Sequence, residues 1–174
     1  FKYGLFTGKV GYIVSRDLPY VAETAVTLVG NALGTLIAAL LLRQVRFFTS
    51  TVSTMDVTIS DRVQATVDGK IHDNPLSIFI LAIFCGILMF TAVEGSRKCK
   101  EEKNFAGSLF VVVMPVMVFI ICGFNHCIAD MFYYFFAGCP EPSKAIVYFI
   151  LAIAGNSVGG MIVPLLKKLS NQPL

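Results

Sequence analysis

The sequence predicts an all-α integral membrane protein built as an inverted repeat with interrupted helices. Three observations predict it. Of its 174 residues 56% are hydrophobic and 14% charged, and the mean hydropathy is +0.74, too apolar for a soluble domain of this length. Uncharged apolar runs of membrane-spanning length recur along the chain. The pattern Gly-Asn-small-aliphatic-Gly appears twice, at 30–34 (GNALG) and 155–159 (GNSVG), 125 residues apart, the mark of an internal repeat.

Residues 1–18, with Gly4, Gly8 and Gly11, are apolar but too short to span a bilayer and predict the tail of a broken helix, a half-helix or re-entrant segment. Residues 24–42, bounded by Glu23 and Arg43, form a transmembrane helix. Its small residues four apart admit a neighbouring helix, and Asn31 needs a polar partner. Residues 43–75 are polar and predict an extramembrane loop without chemistry, in which His72 is solvated. Residues 76–93 form the next helix, 94–103 a charged turn, 105–138 a long broken helix and 145–168 the last helix, which carries Asn156.

The chain is organised around 115–138. His126 and Asp130 are the only ionisable groups between Lys103 and Glu141, apart from the cysteine and tyrosine side chains. Such groups are costly in lipid and by default face a pathway or a protein interior. Pro115, Gly123, Asn125 and His126 interrupt the apolar run, and broken segments around a polar centre build the binding sites of many membrane transporters. Asp130, four residues after His126, shares its face on a continuing helix and is expected in a supporting role. His126 also has the reading of a buried, carbonyl-bonded histidine, and Asn31 and Asn156 that of interhelical glue.

Two spans separate the Gly-Asn helices, so these cross the membrane in opposite directions, the arithmetic of an inverted-topology repeat. By that symmetry, one span and half of a broken segment are expected upstream of Phe1. With the carboxyl terminus cytoplasmic, seven basic residues lie inside against five outside, which orients a multi-pass protein of the cell membrane. The basic residues are scattered, with no nucleic-acid footprint, and five cysteines without a CxxC read as core residues rather than a metal or disulfide framework. No cofactor is expected.

At GFNHCIADMF (123–132), together with LFTG (5–8) and the two Gly-Asn helices, the sequence resembles the formate/nitrite transporter family of pentameric anion channels. The resemblance implies a six-helix, aquaporin-like protomer with its second and fifth helices interrupted, a pore in each subunit, and transport of small monovalent anions such as formate, nitrite, hydrosulfide or lactate, with proton coupling at a central histidine. Carried over by position, Thr7 faces His126, Phe119 and Phe6 form an apolar constriction, and Asn125, Asn31 and Asn156 are polar groups of the pathway. Three residues depart from the family pattern: Asn125 stands where Glu is usual, Asp130 where Asn is usual, and Ser108 where a lysine is expected at the start of its helix. The substrate partners are then a small anion and the lipid bilayer, and the assembly a homo-pentamer.

Other functions fit less of the sequence. A metalloenzyme using His126 and Asp130 has too few ligands. A neutral-solute channel lacks the twin Asn-Pro-Ala signature of aquaporins. A non-conducting fragment assembling with partners is the remaining alternative.

Overall fold

The computed structural model describes residues 4–45, 51–52 and 57–170. Three helices are long and apolar enough to cross a membrane: α2 (Leu18–Leu42), α4 (Pro75–Glu101) and α7 (Pro142–Leu169). Each has proline at its first or second position, where a missing N–H costs nothing. Between the last two lie the halves of an interrupted helix, α5 (Phe105–Ile121) and α6 (Cys127–Phe136). The chain begins with another half-helix, α1 (Phe6–Lys9), continued by a 3-10 turn over Val10–Ser15.

The interruption falls at 122–126, and Pro115 does not contribute to it: Pro115 sits inside a continuous α5. The break is set by Gly123, whose φ of +68° is a left-handed conformation suited to glycine. Phe124 N–H then donates to Phe119 O at 2.9 Å and Gly123 N–H to Ile120 O at 3.2 Å, the paired bonds of a Schellman ending. Gly138, at φ +90°, ends α6 in the same way, with Cys139 N–H on Tyr134 O.

The segment 43–75, expected to be an extramembrane loop, contains a helix, α3 (Ile59–Ile71). It follows a short antiparallel pair, β1 (Thr51–Val52) and β2 (Val57–Thr58). A capping box starts α3: Asp61 N–H donates to Thr58 Oγ1, and Thr58 N–H to Asp61 Oδ2. The Thr58 bonds hold the Asp61 carboxyl below its usual range. Isoleucine and valine recurring every four residues, Ile59, Val63, Val67 and Ile71, give α3 the apolar face that buries Val67 and Ile71.

Helix ends collect at two opposite faces. One holds Lys9 to Arg16, the start of α2, the end of α4 and the end of α7: Tyr12 OH donates to Glu94 Oε2 at 2.7 Å and Lys168 Nζ to Val14 O at 3.3 Å. The nearly buried Glu94 also takes a bidentate bond from Arg97 and lies 3.5 Å from Lys167. The other face holds α3 and the starts of α4 and α7. There His72, exposed as expected, lies between Asp68 and Glu141, with Lys144 Nζ 2.6 Å from its Nε2. Lys144 and His72 hold the Glu141 carboxyl below the usual carboxylate range.

The core is the contact between α4 and α7, which is close because glycines line it. A Cβ on Gly155 would meet Ala82 and the Phe79 carbonyl, and one on Gly159 the Ile83 carbonyl. By contrast α2, equally apolar, exposes Val26, Val29, Leu33 and Ile37.

This packing sets an expectation for stability. Gly159→Ala forces backbone apart at a helix crossing and should cost about 1–3 kcal/mol. Gly69→Ala on α3 meets open space and should be neutral or stabilising by up to about 1 kcal/mol. Thermal melting of the detergent-solubilised protein, followed by size exclusion, distinguishes the two; equal melting would show that the crossing has room to spare.

Candidate functional site

His126 is held at the start of α6 by its own ring. As the residue capping that helix, it accepts Ala129 N–H on Nδ1 at 3.1 Å. A neutral ring with Nδ1 so occupied carries its proton on Nε2, and Nε2 lies 3.0 Å from Thr7 Oγ1 on α1. The tautomer is thus assigned from the hydrogen-bond network. Phe119 stacks on the ring at 5.3 Å between centroids, 22° from parallel. Thr7 is wholly buried and His126 nearly so, and together they bring the two half-helices face to face.

Asn31 and Asn156 perform the same task in the two halves. Asn31 Oδ1 accepts the N–H of Phe6, the first residue of α1, at 2.9 Å; Asn156 Oδ1 accepts that of Cys127, the first residue of α6, at 2.9 Å. Asn156 further donates both amide hydrogens, to Ala82 O and Asn125 O, each at 2.8 Å. Fully buried and fully bonded, it is a scaffold for the break. Asn31 instead faces a groove between α2 and α6.

Sequence reasoning missed Lys70. It lies in the last turn of α3, in the segment read as lacking chemistry, and its Nζ donates to Asn125 Oδ1 at 2.7 Å and stands 3.3 Å from Asp130 Oδ1. A signal was present: Val63, Val67 and Lys70, spaced four and three apart, put the lysine on the helix's apolar face. Ser108, where the resemblance places a lysine, pairs with Ser96 Oγ at 2.8 Å in a neutral contact between α5 and α4. The cation beside the broken segment therefore comes from α3.

The other two departures face this same ammonium. With glutamate usual at 125 and asparagine at 130 in the resembling pattern, this chain has Asn125 and Asp130, and both touch Lys70. Set against the resembling pattern, the carboxylate at this ammonium is carried at 130 rather than at 125. Asp130 is buried and takes a second bond from Tyr148 OH at 2.6 Å. Burying an ion pair is tolerable when its remaining valences are bonded in this way.

Two cavities border this centre and a third lies on the opposite face. One of about 240 Å³ lies on the α3 face against Lys70, Asp130 and Phe119. A groove of about 560 Å³ runs past His126 and Asn31 and shares Ala129 and Tyr133 with the first. A third, about 780 Å³, opens on the opposite face beside Lys9 and Arg16, and Leu5 lines both it and the groove. Phe119 thus stands between the Lys70 cavity and the His126 ring. Phe6, expected beside it, packs into the buried core with Val10 and Cys127, and its neighbour Leu5 is the apolar residue that faces the cavities. Among the described residues, three metal-ligating side chains converge at Asp68, His72 and Glu141, at the end of α3 and the start of α7, with Lys144 bonded to the last two; His126 and Asp130 are not part of such a group.

Comparison with known proteins agrees with this geometry. The family profile described as Formate/nitrite transporter matches residues 3–168. The chain is similar to the formate channel FocA of Haemophilus influenzae, 37% identical over 70 residues covering 40% of this chain and 24% of that protein. It is 28% identical to the formate channel BtFdhC of Bacillus thuringiensis over 103 residues, 58% of this chain and 39% of that one. FocA of Escherichia coli (strain K12) is 26% identical over 130 residues, 74% and 45% of the two chains. Among solved structures, an FNT family ion channel superposes with a TM-score of 0.79 at 15% identity, covering 97% of this chain and 69% of that chain. A pentameric formate channel with formate bound superposes at 0.74 and 24% identity, covering 97% and 75%. At these identities the superpositions establish the fold. The chain spans less than half the length of these curated relatives. A profile match over nearly its whole length places the chain in the formate/nitrite transporter family.

Proposed function

We propose that this chain forms a passage for small monovalent anions of the formate class in the cell membrane, carboxyl terminus cytoplasmic, within a homo-pentamer, and that a proton accompanies the anion. The observation that carries the reading is the lysine-carboxylate pair, Lys70 and Asp130, set at a cavity one aromatic ring away from the His126 and Thr7 contact. The relatives named as formate channels support formate as the first substrate to test; nitrite, hydrosulfide and lactate are the others.

An anion approaching the α3 face is drawn to the Lys70 ammonium. Beyond it stands Phe119, and an unpaired charge is costly in apolar surroundings, by several kcal/mol or more. A weak acid whose anion takes a proton from water in the Lys70 cavity becomes neutral, passes, and returns the proton to water on the far side. On the far side of Phe119 the Nε2–H of His126 and the Thr7 hydroxyl, now bonded to one another, separate to receive the substrate oxygen. His126 acts here as a neutral donor. For a proton to pass through its ring, Nδ1 would have to be protonated, and the Ala129 N–H cap already occupies that atom.

A second reading is favoured by the bare apolar face of α2, which also walls the groove past His126: the passage conducts only when a further apolar segment covers that helix. Formate flux into proteoliposomes holding this chain alone decides between them, since the second reading expects none until such a segment is supplied.

Two substitutions test the site. His126→Asn keeps an acceptor for the helix cap but no Nε2–H, and should lower formate flux at least tenfold while preserving the melting temperature. His126→Phe should lose the flux as well as about 1 kcal/mol of helix capping. Unchanged flux in either variant removes His126 from the pathway.

Lys70→Met leaves Asp130 buried without its cation and should destabilise the protein by about 3–5 kcal/mol. Adding Asp130→Asn should restore most of that stability without restoring anion capture, seen as a half-saturating formate concentration several-fold above that of the parent. If stability does not return, Asp130 is held by something other than Lys70.

A further inference from the structure

The two half-helices correspond residue by residue. The matching bonds from Phe6 N–H to Asn31 and from Cys127 N–H to Asn156 fix the register. In that register Lys9 corresponds to Asp130, each three residues further on, and Glu23 to Tyr148, each eight residues before its asparagine. Both pairs are bonded: Lys9 Nζ donates to Glu23 Oε1 at 2.6 Å, and Tyr148 OH to Asp130 Oδ2 at 2.6 Å. The repeat has kept the link between half-helix and following helix while changing its charge. On the α3 face the half-helix supplies the carboxylate and Lys70 the cation. On the opposite face the half-helix supplies the cation itself, and Glu23 the carboxylate.

The surroundings of Lys9 suit an anion. Its cavity is shared with Arg16, Lys100, Ser96, Tyr12 and Tyr20. Arg97 also lines it, with its charge answered by Glu94 and Glu101. The charged side chains that line the cavity, Lys9, Arg16, Arg97 and Lys100, are all cationic, and Glu23 answers Lys9 from beside it. Lys9 Nζ lies 3.4 Å from Thr27 Oγ1 and 5.6 Å from the centre of the Tyr20 ring, so it is pointed into place. Glu23 is 62% exposed and Lys9 16%. A carboxylate so open to solvent binds its lysine weakly and can be displaced by another small oxyanion, unlike the buried Asp130.

We propose that Lys9 is a second anion-docking site, on the face opposite Lys70, taking a small monovalent carboxylate or oxyanion in exchange for the Glu23 carboxylate. The proposal rests on the anion reading above and extends it: the passage has a lysine-carboxylate pair at each mouth, one with its carboxylate buried and one with its carboxylate exposed.

The test is current through planar bilayers containing the oriented protein, with low formate supplied from one side at a time, alongside titration of 13C-formate into the purified protein. Lys9→Gln should reduce current several-fold for formate supplied on the Lys9 face and less for the opposite direction, giving rectification of the opposite sign to that of Lys70→Gln. Lys9→Arg should restore the parent behaviour, and Glu23→Gln should strengthen binding. If Lys9→Gln leaves the current unchanged from both sides, Lys9 only anchors Glu23 and the proposal falls. If the parent carries no current, the transport reading falls, and the titration decides this one: formate line broadening lost in Lys9→Gln upholds the site, and broadening unaffected by it overturns the site.

Discussion

A helix broken at membrane depth frees backbone N–H and C=O groups that lipid cannot satisfy, and one side chain, Asn156, settles this account for the interruption between α5 and α6. Its carbonyl oxygen takes the first N–H of α6, and its two amide hydrogens go to the loop at Asn125 and to α4 at Ala82. The bonds draw the break, the following half-helix and two spanning helices to one point. His126 is aimed by what this arrangement fixes: with Cys127 held, the His126 ring closes over Ala129 N–H and presents its other nitrogen to Thr7. The close glycine contacts of α7 with α4 allow an asparagine on one helix to reach a carbonyl of the other.

Electrostatics adds a second layer. A partly exposed lysine and a tyrosine hydroxyl both satisfy a buried carboxylate at the edge of a cavity, so no isolated charge is left in the interior. In this chain the Lys70 ammonium meets one amide oxygen, of Asn125, and one carboxylate, of Asp130. The helix bearing Lys70 is outside the spanning set, yet it completes the polar centre. A membrane protein's connecting segments can thus hold functional groups that its spans lack.

Membership of the formate/nitrite transporter family and the geometry meet at the inverted repeat. Two half-helices, each opened by a glycine-flanked asparagine on the following helix, approach from opposite faces and touch through Thr7 and His126. The repeat is structural before it is chemical. The bonds that position the half-helices are the same in both halves, whereas the residues one turn further along, Lys9 and Asp130, have opposite charge. The positioning bonds answer to backbone geometry, which is common to the halves; the residues one turn on answer to what lies beyond each half-helix, which differs.

The sequence by itself determined the membrane class, the interrupted-helix fold and the repeat, because these follow from hydropathy, from a residue able to adopt positive φ and from a five-residue pattern, all local properties. It also singled out His126, since an ionisable group in an apolar run is conspicuous wherever it ends up. Only the tertiary structure decided that Asn156 is scaffold while Asn31 borders a groove, that Pro115 is carried within a helix, that Phe6 packs in the core while Leu5 faces the cavities, and that Lys70 is the partner of Asp130. Those depend on which helices come together: Lys70 and Asp130 are sixty residues apart in the chain, and no local pattern records that the last turn of a short polar helix folds back onto a break in another.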